Sequence, residues 1–425
     1  MRSEVIHVSI VATRFGCERF RVEKLNSRKQ WACQPLGMPL NRSVFSQVMD
    51  RVHPELFRRC VDRYAGNYKT SSFSCWDQFL AMAFAQLTYR QSLADLETCL
   101  RARPDQLYHL GFRSSVAHST LADANLKRDW RIYAELAQSL IRRARRLYSG
   151  DPLDAEIAET VYAFDSTTVQ LCLSLFPWAK FRTSKGAIKL HTLIDVRGAV
   201  PTMITISEGK MADVRALDEL VIEPGACYVM DRGYLDFARL RVMAEAGAFF
   251  VTRTKAGVLF SRQESMPVDK STGVRSDHVV VLVTAASIKN YPERMRRVAY
   301  RDPEDGKVLV FLTNNFVLPA FKIAAIYKLR WRVELFFKWI KQNLRIKHFF
   351  GTSENAVKTQ IWIAVCVYLL VAILRKELGV EMSSSQILQI LSVTPFEQVP
   401  LNELLAKVQS RNIPIPPSNQ LMLWQ

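Results

Sequence analysis

The sequence predicts an α+β protein of several domains, in which an all-helical N-terminal region precedes an α/β core interrupted by a β-rich insertion. Three observations carry this reading. Helical spacing runs almost unbroken from about Pro39 to Tyr148. After Ser149-Gly150-Asp151-Pro152 the pattern turns to short apolar strands alternating with helices. Residues 255–312 then break that alternation with further strand-like segments. The expected divisions are 1–37, an unstructured arm or mis-annotated leader; 39–150, helical; 155–254 and 313–380, two parts of one core; 255–312, the insertion; and 381–425, a C-terminal tail.

Taken in order, residues 1–37 show no sustained periodicity and hold seven Lys/Arg against three Glu, so Met38 is expected to be the true start. Trp76–Thr88 is an apolar helical block, and Ser92 should cap a helix carrying Leu93, Leu96 and Leu100. Ser119 is placed as the cap of a helix to Trp130, which with the Ser92 helix could form a helix-turn-helix. Arg142, Arg143, Arg145 and Arg146 close this region as a basic cluster. Val161–Phe164 is an apolar run ending in Asp165, and Cys227–Met230 is a second ending in Asp231. Between them, Lys189–Val196 and Pro201–Ile206 alternate around Arg197-Gly198 as a hairpin would. Helices are expected at Asp213–Leu220 and Leu235–Ala246, with a strand at Ala248–Arg253. Val279–Val283, Val298–Arg301 and Val308–Leu312 are the insertion's strands, and two helices follow, one around Tyr327 and one around Ile361. The Ile413-Pro-Ile-Pro-Pro end should be extended.

Composition narrows the partners. With 425 residues and 49% hydrophobic content, the chain has ample material for a buried core. A net charge of +18 points to a polyanion, most simply nucleic acid. The eight cysteines include no C-x-x-C pair and no zinc spacing, which fits free thiols in a reducing compartment. Ile361–Leu374 is shorter than the roughly 20 residues of a membrane span and reads as a core helix. The N-terminus has no signal-peptide pattern, so a cytoplasmic location is expected.

Residues 327–341 are the most informative stretch. On one helix Tyr327, Arg330, Glu334 and Lys341 would fall within roughly 60° of one another, with Arg345 and His348 extending the stripe. Leu329, Val333, Phe336, Ile340 and Leu344 would form the buried face. Glu334 is the one acid between Lys322 and Lys347, among eight Lys or Arg. Two carboxylates at strand ends and a third on a later helix can hold divalent metal beside a polyanion, because hard oxygen ligands suit Mg²⁺ or Mn²⁺. Taken singly, each Asp also fits a turn or cap role; Asp195 before the hairpin turn and Asp213 at a helix start illustrate that reading.

Tyr327-x2-Arg330-x3-Glu334-x6-Lys341 resembles the Tyr-Arg-Glu-Lys signature of DDE transposases of the insertion-sequence-four family. Phe311-Leu-Thr-Asn-Asn-Phe316 and Phe337-Lys338 resemble that family too, and Asp165-Ser166-Thr167 and Asp231-Arg232-Gly233-Tyr234 match its two acidic motifs in order. Ser74-Cys-Trp-Asp77 and Ser119–Asn125 are similar to the helical domain that often precedes its core. The likeness covers about residues 39–375. It implies a DNA-binding helical domain and a ribonuclease-H-like core with Asp165, Asp231 and Glu334 as catalytic ligands of two Mg²⁺ or Mn²⁺ ions. Tyr327, Arg330, Lys338, Lys341 and Arg345 would bind DNA. It further implies cleavage of the inverted repeats of an insertion sequence and transfer of the 3′-OH strands to target DNA. The partners would be end and target DNA, with a homodimer in the DNA complex, a nucleoid-associated cytoplasmic location, no membrane and no small-molecule cofactor. Where a base is flipped, Phe260, Tyr291 or Tyr300 would have to stack on it. The alternatives are a nuclease on the same core without strand transfer, and a catalytically inactive DNA-binding derivative. The presence of all three acids argues against the latter.

Overall fold

A computed structural model describes residues 42–153, 160–183, 185–304, 306–343 and 349–410. The expectations for residues 1–37, Leu344, Arg345, His348 and the Pro-rich end lie outside the described residues. Among the described residues seven α-helices come first: α1 (Val44–Met49), α2 (Pro54–Arg63), α3 (Cys75–Leu87), α4 (Leu93–Arg101), α5 (Leu107–Leu110), α6 (His118–Lys127) and α7 (Arg131–Tyr148). Their starts follow side-chain capping. Ser74 and Asp77 form a reciprocal capping box on α3, and the Ser92 side chain accepts from the Asp95 amide on α4. Ser119 is not a cap, because α6 already begins at His118 behind Ala117. Residues 102–117 separate α4 from α6 and contain α5, so the two are not joined by a tight turn.

Ten strands among the described residues form one sheet: β1 (Val161–Leu171), β2 (Lys180–Arg182), β3 (Lys185–Asp195), β4 (Val200–Glu208), β5 (Cys227–Met230), β6 (Phe249–Arg253), β7 (Phe260–Ser265), β8 (Val274–Leu282), β9 (Met295–Arg301) and β10 (Val308–Thr313). Their order is β2-β3-β1-β5-β6-β10-β9-β8-β7, with β4 also on β3. β1, β5 and β6 are parallel, and the remaining pairs are antiparallel. The expected hairpin is present as β3 and β4, and Gly198 turns it at φ +67°. Asp213–Glu219 is a 3₁₀ helix rather than an α-helix, and α8 (Phe237–Glu245) leads into β6. Residues 255–312 contain β7, β8, α9 (Ala285–Asn290), β9 and β10, and their strands continue the core sheet through β10 pairing with β6.

The remaining helices are α10 (Ala320–Lys328), α11 (Trp331–Asn343), α12 (Glu354–Glu377), α13 (Ser384–Val393) and α14 (Leu401–Ser410). Ser384–Val393 and Leu401–Ser410 are therefore helical, within the stretch the sequence reads as a tail. α12 is long and apolar enough to cross a membrane, yet Ile361–Leu374 is buried throughout, packed against α7, α3 and α6. Each large aliphatic side chain so covered stabilises the fold by about 1.5–3 kcal/mol. One core joins α1–α7, α12 and one face of the sheet; a smaller one lies on the other face around Tyr162, Phe164, Tyr228, Tyr234 and Leu240.

Candidate active site

Strand register brings the first two acids together. β1 and β5 are parallel from Val161 beside Cys227 to Phe164 beside Met230. Asp165 and Asp231 are therefore the next residues on adjacent strands. Asp165 is not at a strand end, since β1 continues to Leu171, but it stands where the parallel pairing with β5 stops. Side chains alternate along a strand, and Val161, Ala163, Cys227 and Val229 belong to the core that includes α11. Asp165 and Asp231 accordingly face α11.

The third acid arrives through a break in the signature. Tyr327 is in the last turn of α10, Arg330 lies in the junction, and Glu334 and Lys341 are on α11, so the expected single helix is two. The junction is tightened by Arg330 N–H donating to the Tyr327 carbonyl and Val333 N–H donating to that of Arg330. The predicted apolar face holds, with Val333, Phe336 and Ile340 buried, joined by Phe337 and Trp339. Residues 311–316 set the position of α10. The Asn314 side chain bridges the Phe250 amide and the Ala248 carbonyl, and Asn315 accepts from the amides of Val317 and Leu318. Arg296, paired with Asp277 in the interior, donates to the carbonyls of Asn315 and Leu318.

Arg330 and Tyr327 tie the acids into one group. Arg330 Nη1 donates to Asp165 Oδ2 at 3.1 Å, and Nη2 donates to Glu334 Oε1 at 2.6 Å. The Tyr327 hydroxyl donates to Asp231 Oδ1 at 3.2 Å, and the Arg330 guanidinium lies 5.7 Å from the Tyr327 ring centre. Phe311 packs on that ring at 4.7 Å. Burial pushes the Asp165 carboxyl up to about 6; the Ser166 amide and Arg330 oppose this, while Glu334 and Asp231 add to it. Burial also pushes Tyr327 up to about 12, so its hydroxyl is a donor at neutral pH. Arg330 is half-buried, and desolvation acts against its charge, but Tyr327, Glu334 and Asp165 outweigh that effect. Its Nε has no partner among the described residues.

The carboxylates of Asp165, Asp231 and Glu334 offer an all-oxygen donor set of the kind that suits a hard divalent cation. At present the Arg330 guanidinium stands between Asp165 and Glu334, and among the described residues no three acid, histidine or cysteine side chains form a closed cage. Lys338 is exposed on α11, and Lys341 is half-buried. Of the three aromatics considered for base stacking, Tyr291 is buried and cannot serve, whereas Phe260 and Tyr300 are half-buried.

A polar group behind Asp165 was missed in the sequence. The Ser166 hydroxyl donates to Asp213 Oδ1 at 2.8 Å, and Lys189 Nζ donates to the same oxygen at 3.0 Å. Asp213 does start a helix, the 3₁₀ helix Asp213–Glu219, and its side chain also reaches across to the residue beside Asp165. The Ser166 amide in turn donates to Asp165 Oδ1. No spacing rule links positions 166, 189 and 213. The pairing of Ser166 with His191 and of Thr168 with Lys189 brings Lys189 near Ser166, and Asp213, at the start of the 3₁₀ helix after β4, reaches both.

Residues 157–370 match the family model described as Transposase DDE domain, and residues 40–113 match a domain of unknown function. The chain is 35% identical to a transposase of Sinorhizobium fredii, y4zB, over 60% of this chain and 70% of that one. It is 32% identical to the transposase of insertion sequence element IS5377 from Geobacillus stearothermophilus, over 48% of this chain and 54% of that one. A Synechocystis transposase, of element IS4SA, is 25% identical over 77% of this chain and 91% of that one. A helical N-terminal region, a mixed sheet and acids at the split of its parallel strands thus occur in a chain of the transposase class. The protein belongs to the DDE transposase family.

Proposed function

We propose that this transposase is of the insertion-sequence-four type, with a ribonuclease-H-like core, and that it cuts the inverted-repeat ends of its element and joins the 3′-OH strands to target DNA. The observation that carries the reading is the convergence of Asp165, Asp231 and Glu334 through Arg330 and Tyr327. Asp165, Asp231 and Glu334 would hold two Mg²⁺ or Mn²⁺ ions. Such ions supply activation of the attacking oxygen and stabilisation of the leaving oxygen in an in-line phosphoryl displacement. Tyr327 orients Asp231 through its hydroxyl. Arg330, once released from the acids, would bind a DNA phosphate, and Lys338, Lys341 and Arg345 would extend the contacts along the strand. The helical domain, 39–150, binds DNA, and the complex is a homodimer in the nucleoid-associated cytoplasm.

The test is an end-labelled duplex carrying the repeats that flank the gene, incubated with the protein, Mg²⁺ and a supercoiled target. Nicks at the repeat ends followed by labelled joint molecules are expected. Nicking without joints would leave a nuclease, and binding without nicking would leave a DNA-binding derivative. Arg330→Ala and Lys341→Ala should each flatten the salt dependence of end binding by about one unit.

A further inference from the structure

The β2–β3 hairpin carries a group of cations that the site described above does not use. Lys180, Arg182 and Lys185 are exposed on it, and Arg182 pairs with Lys185 across the two strands. Lys210 is brought alongside by Gly209, whose amide donates to the Ala187 carbonyl. A Cβ at Gly209 would lie 2.8 Å from the Phe181 ring, so only glycine allows this approach. None of the four cations forms an ion pair with a described residue, whereas two basic side chains elsewhere on the sheet do, Lys189 with Asp213 and Arg296 with Asp277. The nearest acid in strand register is exposed Glu208, opposite Ile188.

The hairpin is also firmly seated. Trp178, just before β2, donates its ring N–H to the Thr352 carbonyl at 2.7 Å, and Phe176 packs edge-on against Phe349. Both contacts are to the segment that leads from α11 into α12. Three like charges on this hairpin and a fourth, Lys210, beside it repel one another, and an extended polyanion relieves that repulsion.

We infer that Lys180, Arg182, Lys185 and Lys210 form a second phosphate-binding surface that grips duplex DNA beside the catalytic centre. Leu171 of β1 pairs with Gly186 of β3, and Asp165 lies six residues back along β1. At about 3.3 Å per residue the hairpin stands roughly 20 Å from Asp165. Along B-DNA, at about 3.4 Å per base pair, that is roughly six base pairs from the scissile phosphate. The contacts would be to backbone phosphates, so the surface would hold register without reading sequence. This inference rests on the DNA-cleavage reading.

The test is a salt titration of binding to a mixed-sequence duplex, for the wild-type chain and for the quadruple variant Lys180→Ala, Arg182→Ala, Lys185→Ala, Lys210→Ala. With about 0.9 of a counterion released per phosphate contact, the slope of log K against log salt should fall by up to about 3.6 units, with affinity at least about tenfold weaker at low salt. The four side chains are exposed, so the melting temperature should not change. Should the quadruple variant fail to fold, the pairs Lys180→Ala/Arg182→Ala and Lys185→Ala/Lys210→Ala should each remove about half of the slope change. Lys180→Arg with Lys185→Arg should keep the wild-type slope. Wild-type binding with an unchanged slope in the alanine variants would overturn the hairpin surface while leaving the cleavage reading intact. A wild-type chain without salt-dependent duplex binding would overturn both.

Discussion

Acidification should weaken this fold through one buried side chain, His191 of β3. Its ring is fully buried, Nε2 lies 2.9 Å from the Ser207 hydroxyl, and Nδ1 has no partner among the described residues. Burial lowers its pKa from an ordinary 6.5 to about 4; Asp213 opposes that shift and Lys189 reinforces it. The unfolded chain therefore takes up a proton below pH 6.5, and the folded chain does not until about pH 4. The resulting stability is fully present above pH 6.5 and is lost as pH falls towards the folded value. Between pH 8 and pH 4.5 the loss from this one group is about 2.5 kcal/mol. His191→Gln lacks the titrating ring. Urea melts of both proteins at the two pH values isolate the effect, because the other ionisable groups are common to both. The stability of the wild type relative to the variant should fall by about 2.5 kcal/mol on acidification. A difference that stays constant with pH would refute the reasoning.

Other consequences are equally direct. Asp277→Ala should cost about 3–5 kcal/mol in a urea melt, because it leaves Arg296 charged and buried where both side chains are at most 3% exposed. Tyr327→Phe should lower the cleavage rate about 10–100-fold with little effect on melting, since the lost hydroxyl orients Asp231. An unchanged rate would remove Tyr327 from the site. Gly198→Ala should destabilise by more than about 1 kcal/mol, because the residue sits at φ +67° and the added carbon would clash with the Tyr148 ring; thermal melting reads this.

Much of the site was legible because its residues sit where local rules place them. Two apolar runs ending in Asp marked adjacent strands, and the period of Val333, Phe336 and Ile340 marked the buried face that turns Glu334 inward. The break between α10 and α11 was not legible, because Leu329-Arg330 contains neither Gly nor Pro and the helical period passes through it unchanged. Nor was the role of Arg330 as the link between Asp165 and Glu334, which depends on tertiary placement. The arginine cluster of α7 separates for the same reason. Arg143 binds Glu377, and Arg145 binds Tyr162 and Glu223, which leaves Arg142 and Arg146 exposed. Strand register, invisible in spacing, placed Lys189 near Ser166, and Asp213, in the helix after β4, reaches both.

The central claim is that Asp165, Asp231 and Glu334 act as one unit. Single-turnover cleavage of the flanking-repeat duplex with Mg²⁺ tests it, comparing Asp165→Asn, Asp231→Asn, Glu334→Gln and the triple variant. Groups that act as a unit are non-additive, so each single change should abolish cleavage as fully as the triple one, with duplex binding retained. A single variant that cuts at a near-normal rate, or losses that multiply from single to triple, would contradict the account.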